Sequence, residues 1–95
     1  MQLSHNELEH QVYQYLVLRG WLVIHTHDSR HHPCEPGVPD LIALRMGTAL
    51  LLEVKAGKDR MSSDQVNFRD RAISRGITVH EVRSLDEVTE MVRRQ

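Results

Sequence analysis

The sequence has little of the residue types that define several protein classes. Its one cysteine, Cys34, excludes an internal disulfide framework and suits a reducing compartment. With one tryptophan, two tyrosines and one phenylalanine, a core must be built mainly from Leu, Val and Ile. No apolar run approaches the roughly 20 residues of a membrane helix, and the N-terminus is too polar for a secretory signal. We therefore expect a soluble, cytoplasmic protein with no membrane partner.

Neither sign of charge dominates the composition. Twelve Lys plus Arg oppose thirteen Asp plus Glu, a net charge of -1 that argues against bulk basic binding of nucleic acid. Ninety-five residues, 40% of them hydrophobic and 26% charged, indicate one globular domain, residues 1–95. A chain of this size buries only roughly two-thirds of the surface that it exposes when unfolded, so a partner subunit would help to stabilise it.

Local signals divide the chain into helices and strands. Three capping boxes, each a Ser followed three residues later by Glu or Gln, predict helices that begin at Ser4, Ser62 and Ser84. Gly20 and Gly76 end the first two helices, and the third runs to the end of the chain. β-rich runs lie between the helices at 21–25, 41–44, 50–55 and 77–82, with a hairpin turn at 46–48. The predicted order is αβββαβα, an α/β protein.

The first helix has one acidic residue that its capping box does not explain. Its apolar stripe is formed by Leu8, Val12, Tyr15 and Leu16. Glu9 borders this stripe and is placed to face the sheet. Glu9 is therefore either an ordinary boundary residue or a carboxylate that belongs to a site.

The second helix carries two polar residues within its apolar face. That face is formed by Val66, Phe68, Ala72 and Ile73. Gln65 and Arg69 fall in the middle of it, where polar side chains need partners or a function. Gln65 either only completes the capping box or also supports a site. Arg69 either pairs with Asp70 or another acid, or it contacts a DNA phosphate.

Three charged residues meet on the predicted hairpin. Asp40 leads into an apolar strand, where a carboxylate is costly without a counter-charge or a metal. Glu53 and Lys55 are two residues apart on the next strand, so their side chains share one face. Taken singly, Asp40 fits a loop–strand junction, and Glu53 with Lys55 fits a solvated edge. Antiparallel pairing brings all three together, and two carboxylates with a lysine form a candidate Mg²⁺ site for phosphodiester hydrolysis.

The connection from Thr26 to Pro39 is long for so small a domain. The residues in it whose side chains can bind a metal ion include His27, His31, His32 and Cys34. They would suit Zn²⁺, but one cysteine and no CxxC favour a polar loop. We expect the His-rich loop, from His25 to Cys34, to lie over the active site and contact DNA, with protonated histidines and Arg30 meeting phosphates.

A basic cluster follows the hairpin. It is formed by Lys58, Arg60, Arg69, Arg71 and Arg75. These residues are a second set of candidate phosphate contacts. Interleaved aspartates make an ordinary solvated face the alternative.

Together, these motifs resemble one nuclease family. Gly37-Val38-Pro39-Asp40-Leu41, then Glu53-Val54-Lys55, then Gln65, resemble the PD-(D/E)xK nuclease superfamily, in particular its VRR-Nuc branch. The similarity is to the small stand-alone form found in phages and bacteria, and it covers almost the whole chain. It implies a restriction-endonuclease-like αβββαβ core with an added C-terminal helix, in a protein of a bacterial cell or its phage or prophage.

The resemblance also implies roles for particular residues. The metal ligands would be Asp40, Glu53, the carbonyl of Val54 and Glu9. Lys55 would be the catalytic lysine, and Gln65 an active-site support, so the catalytic set is Glu9, Asp40, Glu53, Lys55 and Gln65. The cofactor would be Mg²⁺, with Mn²⁺ as a substitute and no small-molecule cofactor.

Stand-alone members of the family resemble Holliday junction resolvases and act as homodimers. The implied function is Mg²⁺-dependent cleavage of branched DNA, with four-way junctions as the first candidate substrate. From the residues themselves, we assign DNA contacts to Arg30, Lys58, Arg60 and Arg69. Two other functions stay open: a flap, nicking or single-strand nuclease that acts as a monomer, and a non-catalytic nucleic-acid-binding or assembly module on a nuclease fold.

The net charge is distributed unevenly if three of the acidic residues converge at one metal site. Without Glu9, Asp40 and Glu53, twelve basic residues oppose ten acidic ones. The near-zero net charge is then the sum of an acidic centre and a separate basic surface. We expect modest, salt-sensitive DNA affinity, which suits recognition of a DNA shape.

Overall fold

Helices and strands alternate in the predicted order. The computed structural model describes residues 2–27 and 35–95. The elements are α1 (His5–Leu18), β1 (Leu22–His25), β2 (Leu41–Arg45), β3 (Thr48–Val54), α2 (Ser63–Ile73), β4 (Val79–Val82) and α3 (Leu85–Arg93). Within these described ranges, every helix is too short or too polar to cross a membrane.

One four-stranded sheet in the order β1-β2-β3-β4 organises the fold. β1, β2 and β3 pair antiparallel as successive hairpins, whereas β4 returns parallel to β3 after the α2 crossover. The β2–β3 turn consists of Met46 and Gly47, whose φ angles of 46° and 82° suit a two-residue hairpin loop. Leu41 pairs with Leu52 in this hairpin. The residue before Leu41 is therefore held beside the residue after Leu52.

An aliphatic core lies on one face of the sheet. The side chains that form it are Leu8, Val12, Leu16, Trp21, Leu41, Ala43, Leu50, Leu52, Val54, Val82, Val88 and Val92. α1 and α3 contact each other and the sheet through this core. Since side chains alternate along β3, Glu53 points away from the core, toward the face where α2 lies. The stripe predicted for α1 is confirmed, with Tyr15 half-buried at its edge.

The apolar face predicted for α2 is wrong in part. α2, which is described throughout, has no fully buried residue, and Ile73 is 62% exposed. Val66, Phe68 and Ala72 are half-buried. The helix contacts the sheet mainly near β4 and covers it incompletely, so its own periodicity overestimates its burial.

Some boundaries also differ from the prediction. β3 begins at Thr48, which was assigned to the turn, and ends at Val54, although the N–H of Lys55 still donates to the Val82 carbonyl at 3.0 Å. β4 begins at Val79, not at residue 77. The end residues of a strand depend on pairing with its neighbours, which composition alone does not specify.

The third capping box forms only in half. Ser84 Oγ accepts from the N–H of Glu87 at 3.2 Å, as predicted. The Glu87 carboxylate, however, accepts from the N–H of Arg83 at 2.6 Å instead of returning to the N-cap. The boxes at Ser4 and Ser62 are complete.

Candidate active site

Asp40 connects the two strands of the central hairpin at their open end. The residue is 4% exposed, and Oδ2 accepts a hydrogen bond from the main-chain N–H of Val54 at 2.8 Å. This bond follows from the register, because Asp40 directly precedes the Leu41–Leu52 pair. A buried carboxylate with a single backbone donor keeps most of its lone pairs for other partners. The predicted approach of Asp40 to the Glu53–Lys55 strand is thus observed.

Glu53 is buried with one oxygen unused. The residue is 1% exposed, and Oε1 accepts from Gln65 Nε2 at 3.0 Å. Oε2 has no hydrogen-bond partner in the part of the chain that the structure describes. Burial first, and then the adjacent Asp40 carboxyl, raise the pKa of Glu53 to about 9 against the opposing effect of the Lys55 charge. Such a carboxylate is ready to accept a cation in place of its proton.

Lys55 and Gln65 join the site to the start of α2. Lys55 is 9% exposed, and its Nζ donates to Gln65 Oε1 at 2.7 Å. The same oxygen accepts from the N–H of Ser62 at 2.8 Å, which is the capping-box bond. Gln65 is therefore more than a helix cap, because one amide caps the helix and also contacts Lys55 and Glu53.

The loop before Asp40 packs directly on the first turn of α2. Gly37 has a φ of +78°, and a Cβ there would lie 2.0 Å from the main-chain oxygen of Asp64. Glu35 forms an ion pair with Arg71 of α2 at 3.0 Å. Because of this close approach, the position of Asp40 and the position of Gln65 depend on the same packing contact.

Glu9 faces the site from α1 and is surrounded by histidines. Its Oε2 lies 3.2 Å from His25 Nδ1, and its Oε1 lies 3.9 Å from His5 Nε2. His5 Nε2 also lies 3.4 Å from Asp40 Oδ2, and His27 Nε2 lies 3.2 Å from Asp40 Oδ1. Glu9 is thus brought to the site rather than left as a boundary residue.

Sequence reasoning did not place His5 at the site, and it placed His25 only in a loop over the site. The available signals were the i, i+4 spacing of His5 and Glu9 on one helix, and the position of His25 at the end of a strand. His25 pairs with Leu41, which brings it next to Asp40.

Comparison with known proteins agrees with this geometry. A family model described as the VRR-NUC domain matches residues 3–86. The chain belongs to the VRR-NUC family. A solved structure titled "VRR_NUC domain" superposes on it with a TM-score of 0.75, at 22% sequence identity over 94% of each chain. No curated protein matches the chain significantly.

Membership in the VRR-NUC family has direct consequences. The chain is a nuclease domain of the PD-(D/E)xK superfamily, and DNA is the substrate that such a domain implies. The structural match confirms the predicted restriction-endonuclease-like core, with four strands and three helices.

The residues of this VRR-NUC domain fit a divalent metal ion. Asp40, Glu53 and Glu9 supply carboxylate oxygens, the ligands that hard divalent cations prefer. The free, buried Oε2 of Glu53 is the strongest sign, because an unpartnered buried carboxylate oxygen is costly in a metal-free protein. Donor atoms of His5, Glu9 and Asp40 also lie within 4.8 Å of one another.

Of the four residues predicted to contact DNA, two are exposed near the site, one forms a salt bridge, and one lies outside the described residues. Lys58 and Arg60 are exposed in the loop that joins β3 to α2, close in sequence to Lys55. Arg69 Nε lies 3.6 Å from Asp70 Oδ1, so the salt-bridge alternative is the one observed. Arg30 lies outside the described residues.

Two of the remaining basic residues have local partners. Besides its ion pair with Glu35, Arg71 donates to Asn67 at 3.0 Å, and Arg75 donates to the main-chain oxygen of Arg71 at 2.8 Å. Of the donors considered for zinc, only His27 is described, because residues 31, 32 and 34 lie outside the described ranges. His27 contacts Asp40.

Proposed function

We propose that this VRR-NUC domain is a Mg²⁺-dependent endonuclease that hydrolyses phosphodiester bonds in branched DNA, with four-way junctions as its preferred substrate. One observation carries the proposal: the carboxylates of Asp40 and Glu53 and the ammonium group of Lys55 converge at the open end of the β2–β3 hairpin, all nearly buried. Hydrolysis of a phosphodiester is promoted by this combination of two carboxylates that can bind a cation, Asp40 and Glu53, and a positive charge.

The metal ligands would be Asp40, Glu53 and the main-chain carbonyl of Val54, with Glu9 completing the acidic group. When bound, Mg²⁺ supplies Lewis-acid chemistry, which neutralises phosphate charge and favours deprotonation of a water, and Mn²⁺ can substitute. The tie between Asp40 Oδ2 and the Val54 N–H keeps that carboxylate in a fixed orientation. Gln65 fixes Glu53 in the same way.

Lys55 has the role of a positioned positive charge. Its Nζ is held by Gln65 Oε1 at 2.7 Å, beside the acid pair. A phosphate oxygen that enters the site would meet this ammonium group, which stabilises the negative charge that develops during attack by water. Because the group is nearly buried, water screens this interaction weakly.

The surface around the site suits a shaped DNA substrate. Lys58 and Arg60 lie on the exposed loop that follows Lys55, where they can contact phosphates beyond the scissile bond. A net charge of -1 keeps non-specific affinity low. A homodimer would supply the two active sites that paired cuts in a junction require. The apolar side chains of Leu18 and Leu22, 84% and 65% exposed, are candidates for its interface.

A substrate panel tests the proposal. Labelled four-way junction, flap, nicked, single-stranded and linear duplex DNA are incubated with the protein and Mg²⁺, with EDTA as the blank. We expect a dimer that makes paired cuts in the junction. Sedimentation under the same conditions measures the oligomeric state of the protein. Cutting of flaps, nicks or single strands by a monomer would favour the second enzyme function.

Variants separate catalysis from binding. Asp40→Ala should abolish cutting and leave junction binding intact, whereas Asp70→Ala, which removes an exposed acid, should cut normally. Absence of metal-dependent cutting of every substrate by folded protein would leave a binding or assembly module.

A further inference from the structure

The first turn of α1 brings a nitrogen donor to the acidic group. His5 and Glu9 are one turn apart on α1, so their side chains project from the same face of the helix. His5 Nε2 lies 3.4 Å from Asp40 Oδ2 and 3.9 Å from Glu9 Oε1. Together, one imidazole and two carboxylates offer donor atoms that all lie within 4.8 Å of one another.

From this arrangement, we propose that His5 is a metal ligand, which together with Glu9 and Asp40 forms a nitrogen-containing divalent-cation site that binds Mn²⁺ in preference to Mg²⁺. The inference rests on the proposed function, since Asp40 also belongs to the catalytic acid pair. The His5 imidazole adds a nitrogen ligand, which the carboxylates of Asp40 and Glu53 do not provide.

The spacing of the donors is compatible with a shared ion, and His5 Nε2 is already within hydrogen-bond distance of Asp40 Oδ2. Adjacent ligands of an octahedral ion at about 2.1 Å lie about 3 Å apart. The separations of 3.4 Å and 3.9 Å need only a small side-chain adjustment to reach that arrangement. The side chain of His5 is 38% exposed, which leaves room for that movement and for water ligands.

A second observation points independently to a cation at this place. Glu53 is 1% exposed, and its Oε2 has no hydrogen-bond partner among the described residues. The Leu41–Leu52 register places Glu53 beside Asp40, so its carboxylate belongs to the same acidic group.

Two further histidines hold the carboxylates from outside. His25 Nδ1 lies 3.2 Å from Glu9 Oε2, and His27 Nε2 lies 3.2 Å from Asp40 Oδ1. In each case, the partner is the carboxylate oxygen other than the one nearest His5. Contacts of this kind orient carboxylate ligands and fix which oxygen faces a metal.

The nitrogen ligand determines which cation the site prefers. Mg²⁺ is a hard ion that favours oxygen ligands and keeps its water, whereas first-row transition ions accept imidazole readily. A site with one imidazole and two carboxylates should therefore bind Mn²⁺ more tightly than Mg²⁺. Loss of the imidazole should cost Mn²⁺ affinity about tenfold and change Mg²⁺ affinity much less.

Pulsed electron paramagnetic resonance of the Mn²⁺ complex tests the assignment without any substrate. Wild type is compared with His5→Gln and with His10→Gln, which removes an exposed histidine from the same helix. We expect ¹⁴N modulation from a bound imidazole in wild type and His10→Gln, and its loss in His5→Gln. Calorimetry should show the selective loss of Mn²⁺ affinity in His5→Gln alone.

Two results would overturn the proposal: a wild-type Mn²⁺ complex without ¹⁴N modulation, or modulation that persists in folded His5→Gln. A wild-type spectrum without ¹⁴N modulation overturns the proposal even if the variant does not fold, and labelling with ¹⁵N-histidine, which converts the signal to that of ¹⁵N, shows that the bound nitrogen comes from histidine. Imidazole coordination without cleavage of any DNA would support this site and contradict the proposed function. Cleavage of junctions by a protein whose Mn²⁺ has only oxygen ligands would support the proposed function and contradict this site.

Discussion

Lys55 Nζ donates to the side-chain oxygen of Gln65 at 2.7 Å. The same oxygen accepts the capping bond from Ser62, and the amide nitrogen of Gln65 donates to Glu53 at 3.0 Å. A helix N-terminus and the two charged residues of the β3 motif therefore share one side chain. A displacement of the first turn of α2 would therefore also shift the Lys55 ammonium group relative to the carboxylates of Asp40 and Glu53.

Gln65→Ala should reduce cleavage by about ten- to a hundredfold, because residues that orient site groups contribute on this scale. It should also lower stability by about 1 kcal/mol, since it removes half of a capping box. Cleavage rates at saturating DNA and urea unfolding measure the two effects. Ser62→Ala is the matched control, because it loses the bond to the Gln65 N–H but keeps the amide. An equal loss of cleavage in both variants would mean that Gln65 acts only as a cap.

Lys55→Ala and Lys58→Ala should separate catalysis from binding. Lys55 is buried beside the acid pair, so its removal should lower the cleavage rate at saturating DNA by about a hundredfold or more. Lys58 is exposed, so its removal should weaken binding and reduce the salt dependence of affinity by about one unit of slope. Single-turnover rates and binding at several salt concentrations distinguish the two. A lower single-turnover rate in Lys58→Ala would contradict this division.

Glu53→Gln should stabilise the metal-free protein at alkaline pH. The pKa of Glu53 rises from its ordinary value of 4.5 to about 9, because of burial first and then of Asp40. The folded protein thus keeps a proton that the unfolded chain releases, so the free energy of unfolding falls as the pH rises from 4.5 toward about 9. Relative to Glu53→Gln, wild type should lose about 1–4 kcal/mol between about pH 5 and about pH 8.

Urea unfolding in EDTA at the two pH values measures this difference. Glu7→Gln is the control of opposite sign. The main-chain and side-chain hydrogen bonds with Ser4 lower the pKa of Glu7, so wild type should gain stability over Glu7→Gln as the pH rises through its ordinary range. A Glu53→Gln protein whose stability follows wild type at both pH values would show that Glu53 titrates normally.

Gly37→Ala should destabilise the protein by about 3 kcal/mol or more. The added Cβ would meet the main-chain oxygen of Asp64 at 2.0 Å, and the backbone φ of +78° is unfavourable for alanine. Gly47→Ala has a similar φ of +82° but no atom within 4 Å of its Cβ, so it should cost only about 1 kcal/mol. Urea unfolding compares them. Equal losses would mean that backbone conformation, and not the contact with α2, explains the effect of Gly37→Ala.

The approach of Asp40 to Glu53 and Lys55 could be predicted from the sequence. A short turn and strict side-chain alternation leave only a few registers for a hairpin, and only some of them bury the apolar face of β3. The apolar stripe of α1 was also local information, since Leu8, Val12 and Leu16 repeat at helical spacing. Such features depend on residues that are close in sequence.

The exposure of Ile73 and the double role of Gln65 could not be predicted in the same way. Periodicity shows which residues share a face of α2, but the depth of burial depends on how the helix docks on the sheet. That docking depends on the contact between Gly37 and Asp64, residues from distant parts of the chain.

The amino-acid sequence by itself determined the order of elements, the hairpin that pairs Asp40 with Glu53, and the family to which these motifs belong. These features follow from local capping, alternation and turn chemistry. Only the tertiary structure decided that His5 and Glu9 meet Asp40, and that Gln65 connects Glu53 with Lys55. The physical reason is that long-range packing sets where the ends of α1 and α2 lie, and a shift of a few ångströms would separate these polar atoms.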